Sequence, residues 1–182
     1  MNKRCSWVNL NNPRYVSYHD NEWCKPSYDD AYLFEMLLLE SFQAGLSWEC
    51  ILNKRDAFRD AFDQFDYHKI ACYDEEKIQE LMNNPLIVRN RLKISATIMN
   101  AKVFLKIQEE YGSFSQYIWS FTNYEVIYHK NNEVIVSNEL SDQISDDLKK
   151  RGMKFVGTTI IYSYLQAIGV VNDHEKECYL FS

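Results

Sequence analysis

Glycine and proline are scarce in this chain, five and three among 182 residues. So few turn-forming positions leave little room for an all-β fold and favour helix. Also missing is any apolar run long enough to span a bilayer, so no membrane association is expected. The start, Met1-Asn2-Lys3-Arg4-Cys5, lacks the apolar core of a secretory leader, and the expected location is the cytoplasm. Positive charge is not in excess. A net charge of −6 argues against broad electrostatic binding of nucleic acid, yet leaves room for a local basic patch. There is no low-complexity tract, internal repeat or linker, so residues 1–182 read as a single domain large enough to bury a substantial core. The five cysteines (Cys5, Cys24, Cys50, Cys72 and Cys178) are odd in number and widely scattered. That excludes a disulfide framework and suits thiols or metal ligands in a reducing compartment.

What is present begins with the two ends. Cys5 and His19 lie near the start, His174 and Cys178 near the finish, the latter pair at the i, i+4 spacing of one helical face. Together they make a Cys2His2 set, the composition of a closed structural zinc site. One zinc per chain holding all four would tie the segment 1–26 to the segment 170–182 and leave the chemistry to the middle.

The middle reads as all-α. Ser27 followed by Asp30 resembles a capping box, and Leu33, Met36, Leu37 and Glu40 continue into a helix that stops at Gly45. A helix from about Trp48 to Phe62 follows, and Asp66 and Asp74 look like N-caps. Ile94, Thr97, Ile98, Ala101, Phe104, Leu105 and Gln108 hold helical spacing over four turns up to Gly112. Residues 122 to 139 fit a loop or a short hairpin. Ser141 opens a helix ending near Gly152, and Ile160, Ile161, Tyr164, Leu165 and Ile168 mark a last one ending at Gly169. No strand alternation persists long enough to build a sheet.

Between the last two helices lies Lys150-Arg151-Gly152-Met153-Lys154-Phe155-Val156-Gly157-Thr158-Thr159. Two glycines in a short interhelical turn allow close backbone approach, and the uncapped N–H groups that open the second helix can hold a phosphate. Within residues 141–169 this looks like the helix-hairpin-helix that DNA repair proteins lay on the phosphate backbone, with Lys150, Arg151, Gly152, Lys154, Gly157 and Thr158 as contacts. An ordinary turn with solvated lysines has the same pattern. A second basic group, Arg89, Arg91 and Lys93, either extends this surface or is a solvated helix start.

Trp7, Trp23 and Trp48 are three of the four tryptophans, and Tyr15 and Tyr18 fall among them. Such rings serve either as core or as a sandwich for a flat, electron-poor ligand. Glu40, directly after Leu37-Leu38-Leu39, bears on the choice. A carboxylate in so apolar a run needs a partner or pays for desolvation, so it either turns to solvent or accepts a hydrogen bond inside a pocket.

Five stretches share one resemblance. Arg4-Cys5-Ser6-Trp7, Tyr18-His19-Asp20-Asn21-Glu22-Trp23, Leu39-Glu40 with Gln43-Ala44-Gly45-Leu46-Ser47-Trp48, Lys149 to Thr159, and Val171-Asn172-Asp173-His174 resemble the 3-methyladenine DNA glycosylase I family over residues 4 to 178. Cys24 and Leu92 stand where a glycine is common. The resemblance implies a helix-hairpin-helix fold, a structural zinc on Cys5, His19, His174 and Cys178, and hydrolytic release of 3-methyladenine from alkylated double-stranded DNA. It implies base recognition by Glu40, Trp48, Tyr15, Tyr18 and Trp23, with Trp7 close by. Catalysis then rests on Glu40 and on selective binding of the flipped cationic base, because Asn172 occupies the place where many such glycosylases carry an Asp. Asp173 is expected to support the neighbouring metal ligand. Thr158 and Thr159, rather than a lysine, follow the hairpin glycine, so no lyase step is expected. Leu46 is a candidate wedge for the gap in the duplex, core packing being the alternative. No obligate protein partner is expected, and the chain reads as a monomer. The competing readings are a lesion binder without activity and a zinc hydrolase, the latter weakened because four protein ligands leave no open position.

Overall fold

The computed structural model describes residues 3–129 and 134–181. Helix α2 (Asp30–Gln43) is its axis. Leu33 to Phe42 are all buried except Glu35, and a helix apolar on every side has to be enclosed. Helices α3 (Trp48–Asn53), α7 (Arg91–Tyr111), α8 (Phe114–Ser120) and α10 (Thr158–Ala167) pack around it. Helix α9 (Glu139–Lys150) lies on α10, α5 (Tyr67–Ile70) and α6 (Glu75–Asn83) pack on α7, and α4 (Arg55–Ala61) packs against α3.

Several boundaries differ from expectation. The cap of α2 is Asp29, whose carboxylate accepts from the Ala31 N–H at 3.2 Å. Asp30 faces α8 instead. Its two oxygens take the N–H groups of Phe114 (2.8 Å) and Ser115 (2.7 Å) and the amide of Gln108 (2.6 Å). An N-cap carboxylate is worth about 1–2 kcal/mol, so Asp30→Ala is expected to lower the melting temperature by about 3–6 °C. An unchanged thermal melt would mean that Ser113 alone caps α8. The expected helix from Trp48 to Phe62 is broken at Lys54, which ends α3 and starts α4. Helix α9 is capped by Asn138, with Ser141 as the reciprocal partner inside the first turn.

Helix α1 (Pro13–Asn21) was not visible as a periodic pattern, since only Tyr18 and His19 on it are buried. Its start is nevertheless well specified: Asn12 accepts from Arg14 and Tyr15, and Pro13 takes the first helical position. The expectation of no sheet also needs correction. Strands β1 (Ile127–Tyr128) and β2 (Val171–Asn172) pair in parallel. Of the segment 122 to 139, read as a loop or short hairpin, residues 130–133 lie outside the described residues, and Ile127 and Tyr128 pair with the C-terminal strand. Two residues carry no alternation, and their partner comes from the far end of the chain.

That crossing of distant segments recurs at Gly169. Its φ is +76°, and a Cβ there would sit 2.2 Å from the Lys25 carbonyl carbon. The N-terminal strap runs over this glycine, bonding Cys24 N–H to Gln166 O and Ser27 N–H to Ile168 O, 2.9 and 3.0 Å. Cys24 itself is left-handed, φ +61°, a conformation that glycine adopts at lower cost.

Candidate active site and metal cluster

The strap brings Trp23, and α1 brings Tyr15 and Tyr18, over the Glu40 end of α2. Trp48 follows from the first position of α3, which Ser47 caps. These residues and Trp7 line one cavity of about 260 Å³, closed on its other side by Thr159, Tyr162, Ser163 and Gln166 of α10. The rings form two groups: Trp7 packs at 5.3 Å on Tyr15 and 4.7 Å on Trp23, and Tyr18 lies 5.2 Å from Trp48.

Glu40 is only 3 % exposed. One carboxylate oxygen has no hydrogen-bond partner, and neither has the indole N–H of Trp48. Burial alone pushes the Glu40 carboxyl up to about 8. Burial and then the nearby Glu40 push the Tyr18 phenol up as well, so it stays a hydroxyl donor. A buried polar group without a partner costs about 1–3 kcal/mol. An acceptor and a donor left so in one aromatic-walled cavity are arranged for a flat ligand with polar edges.

The α10 wall was not singled out from sequence. Thr159, Ser163 and Gln166 are a polar stripe at i, i+4, i+7 on an otherwise apolar helix, and that was the available signal. Beneath it sits a network that only the fold assembles. The β1–β2 register sets His129 beside Asp173, Nδ1 to Oδ1 2.7 Å, and Asp173 also accepts from Tyr162 (2.7 Å) and Gln166 (2.6 Å). Asp173 thus supports the pocket wall through these bonds, rather than the ring of the adjacent His174. Asn172 Oδ1 accepts from the His174 N–H at 3.2 Å.

Cys5, His19, His174 and Cys178 are all buried, and their ligand atoms lie within 4.8 Å of one another. Cys5 Sγ to His174 Nδ1 is 3.5 Å, Cys178 Sγ to His19 Nε2 3.5 Å, and Cys178 Sγ to His174 Nδ1 3.6 Å. A zinc about 2.3 Å from sulfur and about 2.0 Å from nitrogen sets tetrahedral ligand pairs about 3.5 Å apart, so the donor set fits this ion. Burial holds the Cys5 thiol up at about 12 and His174 down at about 4. A cation is what would let the Cys5 thiol ionise. The carboxylate that orients a ligand is Asp20, at 2.8 Å from His19 Nδ1 and itself gripped by Arg4. Trp7 and Trp23 are the common wall of both sites. Trp7 lies 5.4 Å from the His19 ring, and Trp23 lies 4.8 Å from that of His174.

The hairpin from α9 to α10 turns through Gly152 at φ +103° and opens α10 at Gly157 without a side-chain cap. Lys150 and Lys154 are exposed there, while the Thr158 hydroxyl bonds that of Ser141 at 2.8 Å. Arg151 also has partners within the protein: it pairs with Asp147 at 2.7 Å and Glu110 at 2.6 Å and lies over Tyr111 and Tyr117. Leu46, 41 % exposed after the left-handed Gly45, is not a core residue.

Comparison with known proteins adds three findings. The family model described as methyladenine glycosylase matches residues 7–181. DNA-3-methyladenine glycosylase 1 of Escherichia coli (strain K12) is 45 % identical over 179 residues, 97 % of this chain and 95 % of its own length. A solved structure of 3-methyladenine DNA glycosylase I from Staphylococcus aureus, concerned with how that enzyme recognises 3-methyladenine, superposes with a TM-score of 0.92 at 38 % identity, covering 97 % of this chain and 95 % of that one.

Proposed function

The chain belongs to the methyladenine glycosylase family and is a hydrolase acting on an N-glycosidic bond; we propose that it releases 3-methyladenine from alkylated double-stranded DNA as a single-domain, monomeric, monofunctional glycosylase of the cytoplasm. The observation that carries this reading is the unpartnered Glu40 oxygen facing an aromatic cavity.

The base is shielded in the duplex and has to leave the stack. A 3-methylated adenine is cationic and pairs poorly, which lowers the cost of flipping. In the cavity, Trp48 stacks on the ring, Glu40 accepts from the exocyclic amine and Tyr18 supplies a polar edge. The bond between N9 and C1′ breaks with its electron pair going to the base, which leaves neutral. A water oxygen bonds to C1′ and loses its proton to solvent. Because the leaving group starts with a positive charge, no acid has to protonate it, and binding that strengthens toward the transition state suffices.

Lys150, Lys154, the N–H groups at Gly157 and Thr158, and the backbone at Gly152 hold the phosphates in a helix-hairpin-helix manner, Leu46 fills the gap, and Arg151 braces the turn. Cys5, His19, His174 and Cys178 hold one structural zinc, which supplies a rigid cross-link and no open coordination position.

The test is release of free 3-methyladenine from methylated duplex DNA, leaving intact abasic strands. Thr158 and Thr159 offer no amine, so borohydride is expected to trap no protein–DNA adduct. A trapped adduct would overturn the monofunctional assignment, and tight lesion binding without release would make the chain a binder instead.

A further inference from the structure

Helix α7 lines no part of the base cavity, yet it carries three buried polar side chains at i, i+4, i+7: Lys93, Thr97 and Asn100. Burying an ammonium is costly, and here the cost is met by the end of another helix. Lys93 Nζ donates to the carbonyls of Phe42 at 2.8 Å and Ala44 at 2.6 Å, the final carbonyls before Gly45-Leu46. A cation at a helix C-terminus is also favoured by the helix dipole. The same Nζ lies 5.9 Å from the ring of Phe155, which sits left-handed, φ +55°, in the hairpin turn. One or two helical turns further on, Asn100 clamps the turn itself. Its amide donates to Lys154 O at 2.9 Å and accepts from Lys154 N–H at 2.8 Å. Thr97 completes the row by bonding the Lys93 carbonyl at 3.0 Å.

One rigid helix therefore holds two separate loops, the α2–α3 loop that ends in Leu46 and the turn that carries Lys154 and Gly157. Its anchor points rise by about 10 Å along α7. We propose that Lys93 and Asn100 are positioning residues that fix the distance between the wedge and the phosphate-binding turn, so that one docking event both grips the backbone and opens the stack. This rests on the assignment of Leu46 and the hairpin to DNA made above. A purely stabilising role would be served as well by an apolar residue at either position. What an apolar residue does not supply is a directional bond to each loop.

The variants are Lys93→Met, which keeps the stem and removes the charge, and Asn100→Leu. Each is measured alone and combined with Leu46→Ala in single-turnover release of 3-methyladenine from methylated duplex DNA. Misplacing a binding group by about 1 Å costs up to a hundredfold, so each single variant is expected to lose about ten- to a hundredfold. Leu46→Ala is expected to cost the wild type about tenfold and the Lys93→Met protein less than about threefold, since a misplaced wedge has little left to lose. Binding of free 3-methyladenine, read by tryptophan fluorescence, stays at the wild-type level. Full additivity of the two losses, or an equal loss of free-base binding, overturns the proposal. Should Lys93→Met not fold, the Asn100→Leu cycle decides by the same criteria. A wild type that releases no base fails the functional reading and this proposal with it, whereas an active wild type with fully active variants fails the proposal alone.

Discussion

Glu40→Gln is expected to lower the release of 3-methyladenine about a hundredfold or more while leaving the protein folded. A charge-assisted hydrogen bond in a water-poor site is worth about 1.5–3 kcal/mol, and the attraction between carboxylate and cationic ring adds to it. Glutamine keeps the shape and an acceptor but loses the charge. The pH profile separates these contributions. Burial holds Glu40 near 8 in the free protein, so at neutral pH most molecules carry it protonated. Activity at low substrate reports the free enzyme, so kcat/KM is expected to rise with pH through about 8 and to flatten in the Gln variant. The sign for stability is opposite. The folded pKa lies above the unfolded one, so the folded state binds the extra proton, and stability is lost as pH rises through 8. The loss runs from about pH 4.5 to about pH 8, so Glu40→Gln is expected to stabilise the ligand-free protein more at pH 9 than at pH 6, by up to about 2–3 kcal/mol. Release at the wild-type rate, with no change in the pH profile, would remove Glu40 from the mechanism.

Removing the proposed zinc from the Cys5, His19, His174 and Cys178 group is expected to have the other large effect. Cys178→Ser leaves three buried ligands with no strong fourth, and exhaustive chelation leaves two buried thiols and two buried imidazoles facing each other. Structural zinc contributes about 10–16 kcal/mol in isolated fingers. A domain with its own core loses less, and a fall of about 10 °C or more in melting temperature is expected. Activity should fail with it, because Trp7 and Trp23 rest on the imidazoles of His19 and His174. The check is metal content, thermal melt and base release on one preparation. A Cys178→Ser protein that melts like wild type yet releases no base would refute the structural role.

Helix positions with strong local signals were legible before any coordinates: the caps at Asp66 and Asp74 and the stops at Gly112, Gly152 and Gly169 all stand where expected. The residues that gather at the cavity and the cluster were also legible, because aromatic rings, thiols and imidazoles are distinctive wherever they fall. Three things were not. Helix α1 buries too few residues to show a period. Arg151 looked like its basic neighbours, and its partner Glu110 is remote in sequence. The His129–Asp173 pair depends on the β1–β2 register, which no local pattern encodes. Lys93 reads from sequence as part of a basic group with Arg89 and Arg91, either on the DNA-facing surface or at a solvated helix start, and the structure corrects this: it is buried, with its ammonium on the Phe42 and Ala44 carbonyls. Asn100 lies in a helix read for its apolar face, and its purpose appears only when the turn it holds is in place.

The cluster also bears on the order in which the molecule matures. Cys5 and Cys178 are near the two ends of the chain, and the loop that joins them takes in α1 to α10. Contacts this distant in sequence are the slowest to find each other and give nothing back until they meet. Since Trp7 and Trp23 rest against that cluster, a cavity that waits on its closure would be the part finished last on refolding. A chain whose helices have already formed would still pass through an interval in which it recognises no damaged base, and the length of that interval would follow the supply of metal.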